Sequence, residues 1–205
     1  MNIHEPATLL TDYLLAVFGG YLAWRLHHRT CTGNLAARWW IRALFAMSLS
    51  AFVGGSYHGF APNFAPEVAV VWWRTVLILV CGIGFCMGVS LIRELVPSDR
   101  QRGWNAVVLT KFTLSLVAVI AYPKFLVALL DYGLAMIAWA VAALFCRRKW
   151  RGWMLAAVGL SAIAGWVQQS RLGISAHFNH NDVYHLIQAL ALIGFYRCGC
   201  LLGRR

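Results

Sequence analysis

Apolar runs of about 20 residues recur along this chain, and each is long enough to cross the hydrocarbon core of a membrane as a helix. Of the 205 residues, 60% are hydrophobic and only 12% are charged, about half the charged fraction of a soluble domain. Backbone groups in lipid must satisfy their own hydrogen bonds, so such runs predict helices. We expect an all-α bundle of seven transmembrane helices forming one domain over 1–205, at 8–26, 38–58, 67–91, 104–121, 125–146, 153–169 and 182–202.

Basic residues are distributed unevenly between the two sides of this expected bundle. Only Lys124 and Arg171 fall on one side. By the positive-inside rule, the N-terminus is predicted outside and the C-terminus in the cytoplasm. The bias accounts for the net charge of +11 without a nucleic-acid partner, and the short loops favour a bacterial inner membrane. The opposite, cytoplasmic side has 14 of the 18 Lys and Arg residues: Arg25, Arg29, Arg38, Arg42, Arg93, Arg100, Arg102, Arg147, Arg148, Lys149, Arg151, Arg197, Arg204 and Arg205.

Tryptophans accompany the basic residues at this cytoplasmic boundary. Tryptophan is enriched at membrane interfaces, because its ring is apolar and its N–H can remain hydrated. The pattern predicts an aromatic belt made of Trp24, Trp39, Trp40, Trp104, Trp150 and Trp153.

Imidazole and carboxylate side chains gather where three of the runs reach the outer boundary. His58 closes the second run, Glu67 opens the third, and the segment 178–185, Phe-Asn-His-Asn-Asp-Val-Tyr-His, opens the last. Ionisable groups are costly in a bilayer, so several at one depth predict a functional site. The prediction requires the second, third and seventh helices to be neighbours.

A zinc ion is the predicted occupant of that site. His58, His180 and His185 would supply three nitrogen ligands and leave one position open for water. Glu67 or Asp182 would act as base toward that water, whose pKa a bound zinc lowers to about 7. His180 and His185 are five residues apart, so they share an ion only if His180 precedes the regular helix.

The start of the last run contributes further candidates. Asn179 and Asn181 are both suitable N-cap residues, which makes a helix start at this point plausible. Asn181 also lies four residues before His185, so the two share a helical face. We therefore expect Asn181 to lie beside the metal ligands, together with Tyr184, which directly precedes His185.

Three charged residues lie deeper in the predicted helices, about 5–10 Å below the outer surface at 1.5 Å per residue. They are Asp12, Arg74 and Asp131. One interpretation is structural, with Arg74 paired with Asp131 or Asp12. The other is that the three residues line a hydrated cavity leading to the histidines, and both can hold together.

The order of these motifs resembles the superfamily of seven-helix membrane hydrolases that includes alkaline ceramidases, adiponectin/progestin receptors and haemolysin III-like proteins. In that superfamily a histidine ends helix two, an acid lies near the start of helix three, and His-x-x-x-His opens helix seven. His58 matches the first position and Glu67 resembles the acid, while residues 181–185 overlie the histidine pair.

This chain departs from the superfamily pattern at two positions. Asn181 stands where the first histidine of the pair is usual, so the adjacent His180 would substitute for it. Gly54 stands where a serine usually precedes the helix-two histidine, and Ser56 is the nearby hydroxyl that could take the catalytic role of that serine.

The resemblance implies a zinc-dependent hydrolase that cleaves a lipid amide or a related lipid at the extracytoplasmic leaflet, with membrane lipid as both environment and substrate. Two other function classes remain open. A non-enzymatic receptor, partner subunit or small transporter would use the same polar outer pocket. A haem-binding electron carrier would use His58 and His185 as axial ligands.

Overall fold

The structure, a computed structural model, describes residues 2–31, 33–175 and 178–203. Within these residues the chain is all-helical, without a β-strand, as the sequence predicts. Each predicted run corresponds to one helix, although the ends differ by several residues. The helices are α1 (Pro6–Arg29), α2 (Leu35–Phe60), α3 (Pro66–Leu95), α4 (Gln101–Ala121), α5 (Phe125–Phe145), α6 (Arg151–Gln169) and α7 (His180–Leu201).

Local side-chain chemistry explains where several helices begin. Pro6 and Pro66 occupy the first turns of α1 and α3, where a missing N–H costs nothing. The Asn34 side chain accepts a hydrogen bond from the Ala37 N–H and caps α2. Asn179 caps α7, as its residue type predicts. His180 is consequently the first residue of α7 and does not precede the helix.

Six of the helices form a ring. In ring order the helices are α1, α2, α3, α5, α6 and α7, each packed against the next, and α7 packs against α1. Helix α4 packs outside the ring against α3 and α5. The expected neighbourhood of helices two, three and seven is therefore only partly correct. Within the described chain α3 does not touch α7, and α1 lies between α2 and α7 because it packs closely against both.

The outer surface of the bundle is apolar. Four helices, α1, α3, α4 and α5, are long and apolar enough to cross a membrane, which is consistent with a membrane protein. On α4, Leu109, Leu114 and Val117 are each more than half exposed. Exposed aliphatic residues along a long helix fit a lipid environment, where no water opposes their exposure.

Aromatic side chains fill one half of the ring. Trp40, Trp139, Trp150 and Phe195 are almost completely buried and pack edge to face against one another. The Trp40 indole N–H donates to the Phe195 carbonyl at 2.9 Å. The predicted aromatic belt is therefore wrong for Trp40 and Trp150, which belong to the core.

Candidate functional site

An internal cavity of about 260 Å³ opens among the six ring helices, at the end where α1 and α7 begin and α2 ends. We call it the histidine cavity. Side chains from all six ring helices line it, whereas α4 contributes none. Of the residues singled out from the sequence, the cavity lining includes His58, His180, His185, Asn181, Tyr184 and Asp12. The structure thus brings the three histidines to one space.

His185 is held on both sides by α1. Its Nε2 lies 3.1 Å from Asp12 Oδ1, and its Nδ1 lies 3.0 Å from the Thr11 hydroxyl. The side chains of His185 and Asp12 are only 9% and 7% exposed. A buried imidazole and carboxylate in contact stabilise each other, because neither is well solvated alone.

The Thr11 hydroxyl also constrains the tautomer of His185. Thr11 Oγ1 lies 3.2 Å from Asp182 Oδ1, and a carboxylate can only accept. If Thr11 donates its single proton to Asp182 or to the Thr8 carbonyl, the Nδ1–H of His185 donates to Thr11. The Nε2 lone pair then faces the Asp12 carboxylate, so that a proton or a cation must lie between them. If Thr11 instead donates to Nδ1, the Nε2–H of His185 donates to Asp12.

His58 is oriented by a residue that precedes α1. Its Nδ1 lies 3.2 Å from Glu5 Oε2, and Glu5 retains 44% of its side-chain exposure. The hydrogen bond from His58 holds the pKa of Glu5 below its ordinary value, and this effect outweighs the opposing effect of burial. The Glu5 carboxylate thereby fixes which nitrogen of His58 remains available to the cavity.

Asp182 helps to cap the N-terminus of α7. Its Oδ2 accepts from the Asn179 N–H at 2.7 Å, while the Asn179 side chain accepts from the Asn181 N–H, so the two residues form a capping box. With Oδ1 on Thr11, both oxygens of this buried carboxylate are engaged. Asp182 is therefore placed to position α7 and α1.

Two predicted catalytic residues lie away from the histidine cavity. Glu67 is exposed in the first turn of α3 and does not line the cavity. Ser56 donates to the Phe52 carbonyl at 2.8 Å and contacts the Tyr13 hydroxyl at 2.9 Å. The ring order explains their positions, because it places α1 rather than the start of α3 beside α7.

The charged residues Arg74 and Asp131 are also outside the cavity lining. Asp131 accepts hydrogen bonds from Lys111 Nζ, at 2.5 Å, and from the Ser115 hydroxyl. The predicted pairing of Arg74 with Asp131 or Asp12 is wrong, because Lys111 of α4 and His185 of α7 take those two carboxylates. The Arg74 Nε is buried without a hydrogen-bond partner in the described part of the chain.

Gly55 of α2 allows Asp12 to reach the cavity. A Cβ on Gly55 would lie 2.7 Å from the Asp12 Cβ and 3.3 Å from the Leu9 carbonyl oxygen, so only glycine permits this approach of α1. Gly54 lines the cavity, and a Cβ there would lie 3.8 Å from Asp12 Oδ2.

Sequence reasoning placed Asp12 of α1 near the histidines, and Asp12 does line the histidine cavity, but it overlooked Glu5, Thr8 and Thr11. Glu5, Thr8 and Thr11 all contact site residues, and Thr8 accepts from the Asn179 side chain at 3.3 Å. The signal was the spacing of Glu5, Thr8 and Asp12, at intervals of three and four, which forms a polar stripe on one helix face. On an otherwise apolar helix, such a stripe indicates a buried polar contact.

The donor chemistry of the histidine cavity fits zinc in part. Among the described residues, no three His, Cys, Asp or Glu side chains are grouped closely enough to hold a metal ion. However, adjacent ligands of a tetrahedral zinc are about 3.3 Å apart, close to the 3.1 Å between His185 Nε2 and Asp12 Oδ1. His58 and His185 are each held through Nδ1, the arrangement usual for zinc-binding histidines. The side chain of either His58 or His180 would have to move toward His185 and Asp12 to supply a third zinc ligand.

Comparison with known proteins identifies a family but no function. The model of a family of unknown function, DUF6962, matches residues 7–203, which is almost the whole chain. No curated protein and no solved structure matches the chain significantly.

Proposed function

The chain belongs to this family of unknown function, DUF6962, and we propose that it is a zinc-dependent membrane hydrolase that cleaves a lipid amide or a related lipid. The observation that carries the proposal is the convergence of three histidines and Asp12 on one internal cavity. Nitrogen and carboxylate donors around a shielded space are the usual setting for a catalytic zinc.

We place all seven helices across a bacterial inner membrane, with the histidine cavity toward the outer leaflet. Four helices have the required length and apolar composition, and α2, α6 and α7 complete the ring with three of them. The basic residues lie at the opposite end of the bundle, as the positive-inside rule requires for this orientation.

The lining of the cavity supports a lipid substrate. Beside its polar end the cavity is bordered by apolar side chains, among them Leu15, Val76, Phe125 and Leu129. A mostly apolar pocket with a few convergent polar groups suits a ligand with one polar end and an aliphatic remainder. Gln188 Oε1 lines this space, is buried and has no partner within the described residues, so it can accept an amide N–H from the substrate.

His185, Asp12 and either His58 or His180 are the residues that would hold the metal. When bound there, zinc would supply Lewis acidity that polarises the substrate carbonyl and lowers the pKa of a water ligand to about 7. Asp12 is the carboxylate of the cavity lining, and it would hold the metal through Oδ1. Its other oxygen, Oδ2, would accept the proton of the water ligand, the role of base that the sequence suggested for Glu67 or Asp182. Thr11 and Glu5 keep the two imidazoles in one orientation through their Nδ1 atoms.

One observation favours a second candidate function. Both ring nitrogens of His185 already have protein partners, and no trio of donors is grouped among the described residues. The same cavity could therefore bind an amphiphile without chemistry, as a receptor or carrier does, with the imidazoles and Gln188 recognising its polar end.

Metal analysis of the full chain, purified in a mild detergent, separates the two candidates. We expect close to one zinc per chain in the wild-type protein and a loss of zinc in His58→Ala and His185→Ala. His27→Ala is the control, because His27 is exposed near the other end of α1. Equal zinc content in the three variants would refute the site. A zinc-free wild-type protein that retains a co-purified lipid would support the receptor or carrier instead.

A further inference from the structure

A second and larger cavity, of about 1080 Å³, lies at the opposite end of the bundle from the histidine cavity. Four arginines from four separate segments line it. Arg29 is the last residue of α1, Arg93 lies near the end of α3, Arg148 lies between α5 and α6, and Arg197 lies near the end of α7. We call this space the arginine cavity.

The arginine cavity contains little negative charge to balance these side chains. Glu94 is the acidic residue of its lining, and both carboxylate oxygens are already used. Glu94 Oε1 accepts from the Trp150 indole N–H at 3.0 Å, and Oε2 accepts from the Gly203 N–H at 2.8 Å. In the described part of the chain, none of the four arginines forms an ion pair.

The contacts that these arginines do make leave most of their donors available. Arg93 donates to the Gln101 side chain, and the Arg197 guanidinium lies 5.7 Å from the centre of the Trp153 ring. A guanidinium has five N–H donors, so one such contact leaves the majority unused. Ser98 also lines the cavity and has a hydroxyl to contribute.

A general preference for basic residues on the cytoplasmic side explains why arginines are abundant at this end, but not why four converge on one concavity. Arg102 and Arg147 are exposed at the same end and do not line the cavity. Like charges that face a common space repel one another unless an anion occupies it. Arg29, Arg93 and Arg197 are exposed to solvent, so the convergence forms a basic concavity that an anion can enter.

We propose that the arginine cavity binds a phosphate-bearing anion. Guanidinium groups pair with phosphate oxygens through two parallel hydrogen bonds, which makes arginine the preferred residue for this group. The volume exceeds that of a single phosphate and is in the range of pockets for whole organic ligands. The phosphate belongs either to the head group of an anionic lipid or to a soluble organophosphate, and both are recognised by the same chemistry.

The test measures binding to the full chain in a neutral detergent by isothermal titration. The two probes are dihexanoyl phosphatidylglycerol, kept below its micellar concentration, and inorganic pyrophosphate. We expect saturable binding of at least one probe, weakened at least tenfold by the double substitution Arg148→Gln and Arg197→Gln. The control is Arg102→Gln with Arg147→Gln, which removes the same charge from the same end and should change affinity by less than twofold.

The pattern of binding decides both the site and the source of the phosphate. Binding of the lipid probe alone identifies a head group, and binding of pyrophosphate alone or of both identifies recognition of phosphate itself. The proposal fails if neither probe saturates, or if the lining and control pairs weaken binding equally. Should the Arg148/Arg197 variant not fold, the single substitution Arg29→Gln at an exposed position must still weaken binding at least threefold.

Discussion

Two buried carboxylates, Asp12 in α1 and Asp131 in α5, are 5% and 4% exposed, yet their surroundings differ. Asp131 is paired with Lys111 and accepts a hydrogen bond from the Ser115 hydroxyl where α4 meets α5, away from both cavities. Asp12 meets one partner, His185, and lines the histidine cavity. Burial of a charge therefore does not by itself indicate function. The difference lies in whether the pair is closed by a permanent counter-charge or opens onto space for a ligand.

The largest expected effect comes from breaking the Asp131 pair. Lys111→Met leaves the Asp131 carboxylate buried without its cation, which should cost about 3–5 kcal/mol of stability. Thermal unfolding in detergent, followed by tryptophan fluorescence, measures the loss, while zinc content should remain that of the wild type. Lys124→Met, at an exposed position, is the matched control and should unfold like the wild type. An unchanged unfolding temperature in Lys111→Met would show that the pair contributes nothing.

Neutralising Asp12 should affect activity more than stability. Asp12→Asn keeps a hydrogen-bonding group beside His185, so the expected loss of stability is only about 1 kcal/mol. Loss of this carboxylate, which would act as both metal ligand and base, should slow hydrolysis of a short-chain lipid amide by at least about 100-fold. Rates measured at saturating substrate test this expectation. Wild-type rates in Asp12→Asn would remove Asp12 from the proposed mechanism.

A third variant sharpens the comparison by adding a donor to the histidine cavity. Asn181 lines this cavity, and imidazole is a far better zinc ligand than an amide. Asn181→His should strengthen zinc binding by roughly tenfold, on the scale that a supporting group contributes to a zinc site. Competition with a fluorescent chelator measures the affinity. Unchanged or weaker binding would mean that His180 already completes the ligand set.

The smallest effect on stability is expected for the partly exposed contact between Glu5 and His58. The His58 hydrogen bond lowers the pKa of Glu5, so the stabilisation is present above the ordinary value of 4.5 and is lost as the pH falls through the lowered pKa. Glu5→Gln should flatten the dependence of the unfolding temperature on pH below about 4.5. Exposure limits the effect to under about 1 kcal/mol.

Glu67→Gln is the control for that measurement, because Glu67 is an exposed carboxylate with no hydrogen-bond partner among the described residues. This variant should keep the pH dependence of the wild type. If Glu5→Gln and Glu67→Gln give the same curve, the contact between Glu5 and His58 does not contribute to stability in acid.

Several parts of the site follow from sequence alone. The asparagine that caps α7 is predictable from residue type, since Asn179 precedes Asp182 by the spacing of a capping box. The approach of His58 to His185 follows from their positions at the same ends of their helices. The capping contact of Asp182 was not predicted from the sequence, because a capping carboxylate and a catalytic base have the same residue type.

Helix neighbours were the main source of error. A single sequence does not reveal which helix packs against both α2 and α7, so Glu67 was expected beside the histidines and the contact between Asp12 and His185 was not predicted. The burial of Trp40 and Trp150 was not predicted either, because a tryptophan near a helix end suits an interface and a core equally well.

The sequence by itself determined the seven helices, since an apolar segment of sufficient length must satisfy its backbone hydrogen bonds internally. It also separated the histidines of the site from the arginines, which lie at the opposite end. Only the tertiary structure decided which basic side chain each buried carboxylate contacts, namely Lys111 for Asp131 and His185 for Asp12. That choice depends on how closely two helices can approach, and here the absence of a single Cβ at Gly55 admits Asp12 to the cavity.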